Sequence, residues 1–282
     1  MNSLVIITVN WNSAKFTQAF CRDLDQFQDP PLCIIINNDP KESEEIKKLS
    51  GEKKVILETG ANKGYSGGVN EGLRYAMKNT ESEYFLVINN DVSFEKNFFN
   101  TLLKDSDQKE IRSPAILYMN TNYIQNTGGK ISLLLGGTRN INKNQPYKNM
   151  KKELPDFLSG CCFLLSRKVI EEVGYFDEDY HSYYEDVDFS IRAKRKGYIL
   201  SIIPEAKLWH YHSASTESVP EYKIRMISRN SILFARKQLP FFPRVLFITC
   251  SILRGILQNL SQKKRIPFWR GVQEGLFFHL PQ

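Results

Sequence analysis

The sequence lacks any CxxC pair. Its five cysteines, Cys21, Cys33, Cys161, Cys162 and Cys250, are odd in number, and adjacent Cys161 and Cys162 make a poor bridge. This spacing argues against a zinc site and a disulfide scaffold and fits reduced cysteines in a cytosolic protein. No basic n-region or small-residue cleavage site accompanies the first apolar segment. That segment, Leu4–Val9, is short and β-branched and reads as a first strand rather than a leader. The Walker and GxGxxG spacings are absent, no Ser-His-Asp order stands at recognisable spacing, and no internal repeat or known nucleic-acid motif appears. The most apolar C-terminal stretch is interrupted by Arg244 and Arg254, which leaves less than the roughly 20 residues a membrane span needs.

What is present is an ordinary globular composition. With 282 residues, 41% hydrophobic and 24% charged, the chain can bury a core and is no disordered polymer. The net charge of +7 is unevenly placed. Residues 220–282 hold 11 Lys or Arg against two acids, Glu221 and Glu274, so this segment carries +9 and the rest −2. An anionic surface or phosphate groups are the natural partners of such a tail.

The first half alternates. Strands are expected at Leu4–Val9, Leu32–Ile36, Val55–Leu57 and Tyr84–Ile88. Helices are expected after an N-cap at Ser13, over Glu42–Leu49, and from Gly68 to Met77. This rhythm predicts a parallel sheet covered by helices, with ligands at the carboxyl ends of its strands. Three of those ends are polar: Asn10-Trp11-Asn12, Asn37-Asn38-Asp39 and Asn89-Asn90-Asp91. In the second half, residues 120–150 read as hairpins or a loop over the site. Helices are expected at Arg167–Val173 and Val187–Lys196, and a strand at Tyr198–Ile203.

Four segments carry chemistry-bearing residues. Asp91 is a carboxylate at the end of a buried strand, where it either caps a turn or meets a hard cation whose other ligands are water and phosphate. Glu185-Asp186-Val187-Asp188, behind Tyr183 and Tyr184, either complements a helix dipole or supplies a general base raised by apolar neighbours. Trp209 to Ser215 holds His210 and His212, at a spacing that disfavours zinc. The glycine-rich run Gly60 to Asn70 precedes a helix and permits close backbone approach to a phosphate.

Taken in order, these segments resemble the family 2 glycosyltransferases of GT-A fold, in their rhamnosyltransferase-like branch, over roughly residues 3–237. The matching stretches are Val9-Asn10-Trp11-Asn12, Ile36 to Pro40, Asn62 to Gly72, Asn89-Asn90-Asp91, Phe176-Asp177-Glu178 with Tyr183 to Asp188, His210 with Ser215, and Arg229-Asn230. Asn37 stands where the family usually has the Asp that meets the nucleobase, and Asn90 where it has Pro or Asp.

The resemblance implies an α/β GT-A domain over 1–238, with a mainly parallel central sheet flanked by helices, and a basic amphipathic helical extension over 239–282. It implies an inverting, metal-dependent transferase using Mg2+ or Mn2+. The substrates are a nucleotide diphosphate sugar, with dTDP-rhamnose the first expectation, and a glycan or lipid-linked acceptor in surface polysaccharide biosynthesis. By motif, Asp186 is the general base, and Asp91 and His210 hold the metal. Val9, Trp11, Asn12, Asn37, Asn38, Asn62, Lys63, Gly64, Gly67, Asn70 and Asn90 line the donor side, while Glu185, Asp188 and Cys161 line the acceptor side. A binding protein that has lost catalysis is the alternative, and the retained Asp91, Asp186 and His210 speak against it.

The stretch Pro243–Leu260 places Leu246, Cys250, Leu253, Leu257 and Leu260 on one face and Arg244, Ser251, Arg254 and Gln258 on the other. It reads either as a helix packed on the domain or as an interfacial helix. The expected location is the cytoplasm, peripheral at an anionic membrane face, with no nucleic-acid partner.

Overall fold

The computed structural model describes residues 4–211, 220–259 and 261–280. It begins with β1 (Leu4–Asn10), α1 (Ala14–Leu24), β2 (Leu32–Asn37), α2 (Ser43–Lys47) and β3 (Lys54–Glu58). There follow α3 (Gly64–Asn79), β4 (Tyr84–Ile88), β5 (Val92–Phe94), α4 (Phe98–Leu103) and β6 (Glu110–Tyr118). The middle comprises β7 (Ile124–Asn126), a ribbon of β8 (Gly129–Ser132) and β9 (Gly137–Asn140), β10 (Cys162–Ser166) and α5 (Arg167–Val173). Then come α6 (Glu185–Arg195) and β11 (Ile199–His210), and finally α7 (Pro220–Gln238), α8 (Phe241–Gln258) and α9 (Gln262–Phe277).

The period of two in β1 builds two cores at once. Leu4 and Ile6 pack with Phe20 and Leu24 of α1 and with Phe98, Phe99 and Leu102 of α4. Val5 and Ile7 pack on the opposite face, with Val69, Leu73 and Ala76 of α3, Val169 and Ile170 of α5, and Phe189 of α6. A strand covered on both faces must be apolar throughout, which is why β1 and β2 read as continuous β-branched runs. The main sheet runs β3-β2-β1-β4-β10-β6-β11-β5, with β7 beside β6. The four strands from β3 to β4 are parallel, as expected. Beyond them the sheet is mixed, because β10 is antiparallel to β4 and β6, and β11 is parallel to β6 but antiparallel to β5.

Several expected elements shift. The helix expected from Gly68 begins at Gly64, where Asn62 Oδ1 accepts from Gly64 N at 2.8 Å. Ser13 occupies the N-cap position of α1, but its side chain makes no cap bond. The Glu42 carboxylate caps that helix instead, accepting from Ser13 N at 3.0 Å and Ala14 N at 3.1 Å. The strand expected to end at Ile203 runs on to His210, with a register shift between Ile203 and Lys207. Residues 120–150 form hairpins.

Helix α3 lies close on the sheet because Gly72 has no side chain. A Cβ there would lie 2.5 Å from Ile7 Cγ2 and 2.7 Å from Ile36 Cδ1, both deep in the core. Overpacking costs about 1–3 kcal/mol or more, while a better helix former recovers less than about 1 kcal/mol. Gly72→Val is therefore expected to destabilise by roughly 2 kcal/mol, read as a lowered urea midpoint; an unchanged midpoint would show that α3 can move off the sheet.

Candidate functional site

The carboxyl ends of β1, β2 and β4 reach one edge of the sheet, and their asparagines tie that edge together. Asn10 Nδ2 donates to Asn37 Oδ1 at 2.9 Å and to Glu42 Oε2 at 2.8 Å. Asn90 Nδ2 donates to Ser13 Oγ at 2.8 Å and Thr17 Oγ1 at 2.7 Å, and Thr17 Oγ1 donates to Asn10 Oδ1 at 2.6 Å. Asn37 also donates to Glu58 Oε2 at 2.9 Å, and its Oδ1 accepts from Asp39 N at 3.2 Å. Asn37 is fully buried and its polar atoms are engaged by protein. Asn37, expected on the donor side, braces the edge, and the Asn90 amide nitrogen does the same.

Asn70, also expected on the donor side, is engaged likewise. Its Nδ2 donates to Phe176 O and Glu178 Oε1, each at 2.8 Å, and its Oδ1 accepts from Phe176 N at 3.0 Å. It joins α3 to the loop before α6. Asn38 differs, because its Nδ2 donates to Gly64 O at 2.7 Å while its buried Oδ1 has no protein partner. Gly64 has φ +73 and lies against His181, so the turn into α3 excludes a side chain there. Asn62 and Lys63 are exposed on that turn, Lys63 Nζ reaches Glu71 Oε1 at 2.8 Å, and Gly67 lies in the first turn of α3. Val9 and Trp11 are half-buried and Asn12 exposed with φ +50, at the same end of β1.

Asp91 and His210 meet although 119 positions separate them. Antiparallel pairing of β5 with β11 places His210 opposite Val92, the residue after Asp91. His210 Nε2 lies 3.1 Å from Asp91 Oδ1. On the other side of the ring, His210 Nδ1 lies 2.7 Å from Gln125 Oε1 of β7. An amide oxygen only accepts, so Nδ1 carries the hydrogen and donates, and Nε2 faces Asp91, with Asn89 Nδ2 3.4 Å away. Asp91 Oδ1 is itself buried and receives no hydrogen bond among the described residues. A carboxylate oxygen and a ring nitrogen brought this close at a strand end fit two ligands of a metal ion. No cluster of three His, Cys, Asp or Glu adds a third ligand among the described residues, so phosphate and water would complete the shell. Gln125 was not anticipated, since a lone Gln in a hairpin carries no motif. His212 and Ser215 lie outside the described residues.

Across from this pair stands a second acidic group. His181, Tyr183 and Tyr184 all have positive φ, which for non-glycine residues costs about 1–3 kcal/mol each. Buried Asn230 of α7 offsets that strain: its Nδ2 donates to Tyr180 O at 2.8 Å, Ser182 O at 2.7 Å and Tyr183 O at 2.8 Å. The turn so held delivers Glu185 and Asp186 to the start of α6. Asp186 Oδ2 accepts from Gly160 N at 2.9 Å and Oδ1 from Val187 N at 2.8 Å. Burial pushes the Asp186 carboxyl up despite those bonds. Glu185 is pushed well up by burial and then by Asp186, and its buried Oε2 has no hydrogen-bond partner among the described residues.

The link between the two groups is short. Gly160 O accepts from Tyr65 Oη at 2.5 Å, and Cys161 O accepts from Asn89 N at 2.9 Å. The segment Gly160-Cys161 therefore joins the Asp186 side to the Asp91 side. Burial, with Asp91 nearby, raises the Cys161 thiol and keeps it protonated.

Asp188, expected on the acceptor side, has its carboxylate turned to other partners. It is fully buried; Oδ1 accepts from Tyr180 Oη at 3.1 Å and Gln238 Nε2 at 2.6 Å, and Oδ2 from Arg192 Nε at 2.7 Å. Arg192 in turn donates to Val173 O and Tyr175 O. Removing one partner of such a buried pair is strongly destabilising. Asp188→Ala is expected to cost roughly 3 kcal/mol in chemical unfolding; a loss below about 1 kcal/mol would show that the cluster is dispensable.

Comparison with known proteins fits this geometry. The profile of glycosyl transferase family group 2 matches residues 84–254. The chain is 25% identical over 280 residues to the low-salt glycan biosynthesis hexosyltransferase Agl10 of Haloferax volcanii, covering 94% of this chain and 87% of that one. It is 23% identical over 262 residues to the N-acetylglucosaminyl-diphospho-decaprenol L-rhamnosyltransferase of Mycobacterium tuberculosis, covering 82% and 83%. Among solved structures, a mannosyltransferase from Pyrobaculum calidifontis, in complex with GDP-Man and Mn2+, superposes with TM-score 0.61 at 10% identity, over 98% of this chain and 87% of that one. A buried strand-end carboxylate facing a histidine, on a GT-A sheet, accordingly belongs to a family 2 glycosyltransferase of the rhamnosyltransferase-like kind.

Proposed function

We propose that the protein transfers a sugar from a nucleoside diphosphate donor to a hydroxyl of a lipid-linked glycan, inverting the anomeric centre, at the cytoplasmic membrane face. The observation that carries the reading is the separation of the Asp91–His210 pair from Asp186 by the single segment Gly160-Cys161. Leaving group and base then lie on opposite sides of the reacting carbon, as a single displacement needs. The name of the mycobacterial relative supports rhamnose as the sugar and a polyprenyl diphosphate glycan as the acceptor, and the branch resemblance supports dTDP as the carrier.

The acceptor oxygen forms a bond to the anomeric carbon as the bond from that carbon to the diphosphate oxygen breaks. Asp186 takes the hydroxyl proton, and Gly160 N and Val187 N fix its carboxylate for that role. Burial makes it a stronger base than a surface Asp. Glu185 beside it is pushed well up by burial and then by Asp186. Asp91 and His210 would hold Mg2+ or Mn2+, which when bound neutralises charge on the departing diphosphate. Gln125 Oε1, 2.7 Å from Nδ1, orients the ring so that Nε2 faces Asp91. Asn38 Oδ1, buried and without a protein partner, is an acceptor for a donor hydroxyl or amide.

Asp186→Asn keeps shape and removes basicity. Transfer is expected to fall by at least about 10²-fold with donor affinity little changed; near-native turnover would hand the role to Glu185. Because the base works deprotonated and its pKa is raised, the wild-type rate should fall on acidification with a midpoint above about 4, the ordinary carboxylate value. An acid limb at or below that value would oppose the assignment.

The metal reading has its own measurement. Excess chelator should abolish transfer, Mn2+ or Mg2+ should restore it, and Asp91→Asn should raise the metal concentration needed. Full activity in excess chelator would leave the diphosphate to cations of the chain alone.

A further inference from the structure

α8 is amphipathic in the opposite sense to a helix packed on a soluble body. Its polar side turns inward. Ser251 Oγ lies 3.2 Å from Ser231 Oγ, Arg254 lies over the backbone of Gly137, and Arg244 donates to Leu239 O. Phe247 against Phe234 and Gly255 against Phe268 complete the seat. The apolar side faces out: Phe242 is 82% exposed, Leu253 57% and Leu257 73%, with Val245, Leu246 and Ile256 between them at spacings of three and four. Of the stripe recognisable in the sequence, Leu246, Leu253 and Leu257 lie on the solvent side of the helix. An exposed apolar stripe of this length marks an interaction surface.

Neighbouring elements enlarge it. Gly136 sits so close to Ser251 that a side chain would collide with the α8 backbone, which seats the β8–β9 turn on the helix. Leu134 and Leu135 of that turn are 77% and 52% exposed. α9 adds exposed Ile266 and Trp269, an aromatic suited to a headgroup region, beside exposed Lys264, Arg265 and Arg270.

Charge selects the occupant. Residues 239–282 hold six Lys or Arg and one acid, Glu274, which is already paired with Arg225 and Arg270. A second copy docking through the same face would set basic groups against basic groups. By length and composition α8 is apolar enough to cross a bilayer, contrary to the reading of its sequence. Its seat along Phe247, Ser251 and Gly255 holds it on the body, so it lies in the interface rather than across it. We propose that α8 and the Leu134–Leu135 turn dip into the headgroup region of an anionic bilayer, with Lys264, Arg265 and Arg270 on lipid phosphates.

The surface is joined to the acidic site, because Phe247 of α8 packs on Phe234 and Phe234 on Tyr184, the residue before Glu185-Asp186. A docked enzyme thus presents its base to the layer in which a lipid-linked acceptor resides. That last step rests on the glycosyl-transfer reading; the docking does not.

The test is co-sedimentation of the full chain with vesicles of phosphatidylcholine alone or mixed with phosphatidylglycerol, at low and high salt. The chain should bind the mixed vesicles, more weakly at high salt. The double variant Leu253→Glu/Leu257→Glu replaces two exposed side chains, so its urea midpoint should stay put while binding falls at least about tenfold. Lys264→Glu/Arg265→Glu should lose about fivefold or more per residue at low salt. Transfer to a short water-soluble acceptor should be unchanged in both variants. Absence of binding by the parent chain, equal binding by Leu253→Glu/Leu257→Glu, or a dimer that this variant dissolves without any vesicle binding would each overturn the proposal. Vesicle binding without transfer to any acceptor would sink the catalytic reading and leave the docking intact.

Discussion

Parallel strands send all their carboxyl ends to one edge, and no further strand is there to satisfy the polar groups that emerge. A buried donor or acceptor left alone costs about 1–3 kcal/mol, so the edge must be closed by side chains. Here the amides of Asn10, Asn37 and Asn90, with Ser13, Thr17 and Glu42, bond to one another across β1, β2 and β4. That closure fixes the strand ends relative to α1 and leaves Asn38 Oδ1 and Asp91 Oδ1 among the few buried oxygens without a hydrogen-bond partner. Those two oxygens are the ones that the proposed donor and metal would meet.

The acidic side is built on a different device. Its turn is strained at three residues, and the Asn230 amide on α7 holds it through three carbonyls. Arg229 adds a bond to Asp179 O, Lys237 pairs with Asp177 and Asp179, and Gln238 reaches Asp188. Helix α7 is therefore the support of the acidic turn, not a separate appendage. Because α9 packs on α7 through Phe268 and Val272 against Ile232, and α8 through Phe247 against Phe234, the C-terminal helices and the acidic turn share one packed body. The exposed apolar side of α8 and the turn that holds Glu185 and Asp186 are thus mechanically one unit.

Local pattern determined much of this protein. The β-branched runs of β1, β2 and β4, their polar terminal residues and the ordered motifs from Asn10 to Asn230 were enough for the fold class and singled out Asp91, Asp186 and His210 as candidates. Tertiary structure decided which polar groups remain free. Asn37, Asn70 and Asp188 carry the expected residue types, yet their atoms are consumed by partners up to 108 positions away. His210 reaches Asp91 only because β11 extends past its expected end and pairs with β5, and Gln125 finds His210 only through β7. Helical spacing revealed that α8 has an apolar side, but periodicity is unchanged by rotating a helix about its axis. Only the seats of Phe247, Ser251 and Gly255 on the neighbouring elements decide that this side faces outward.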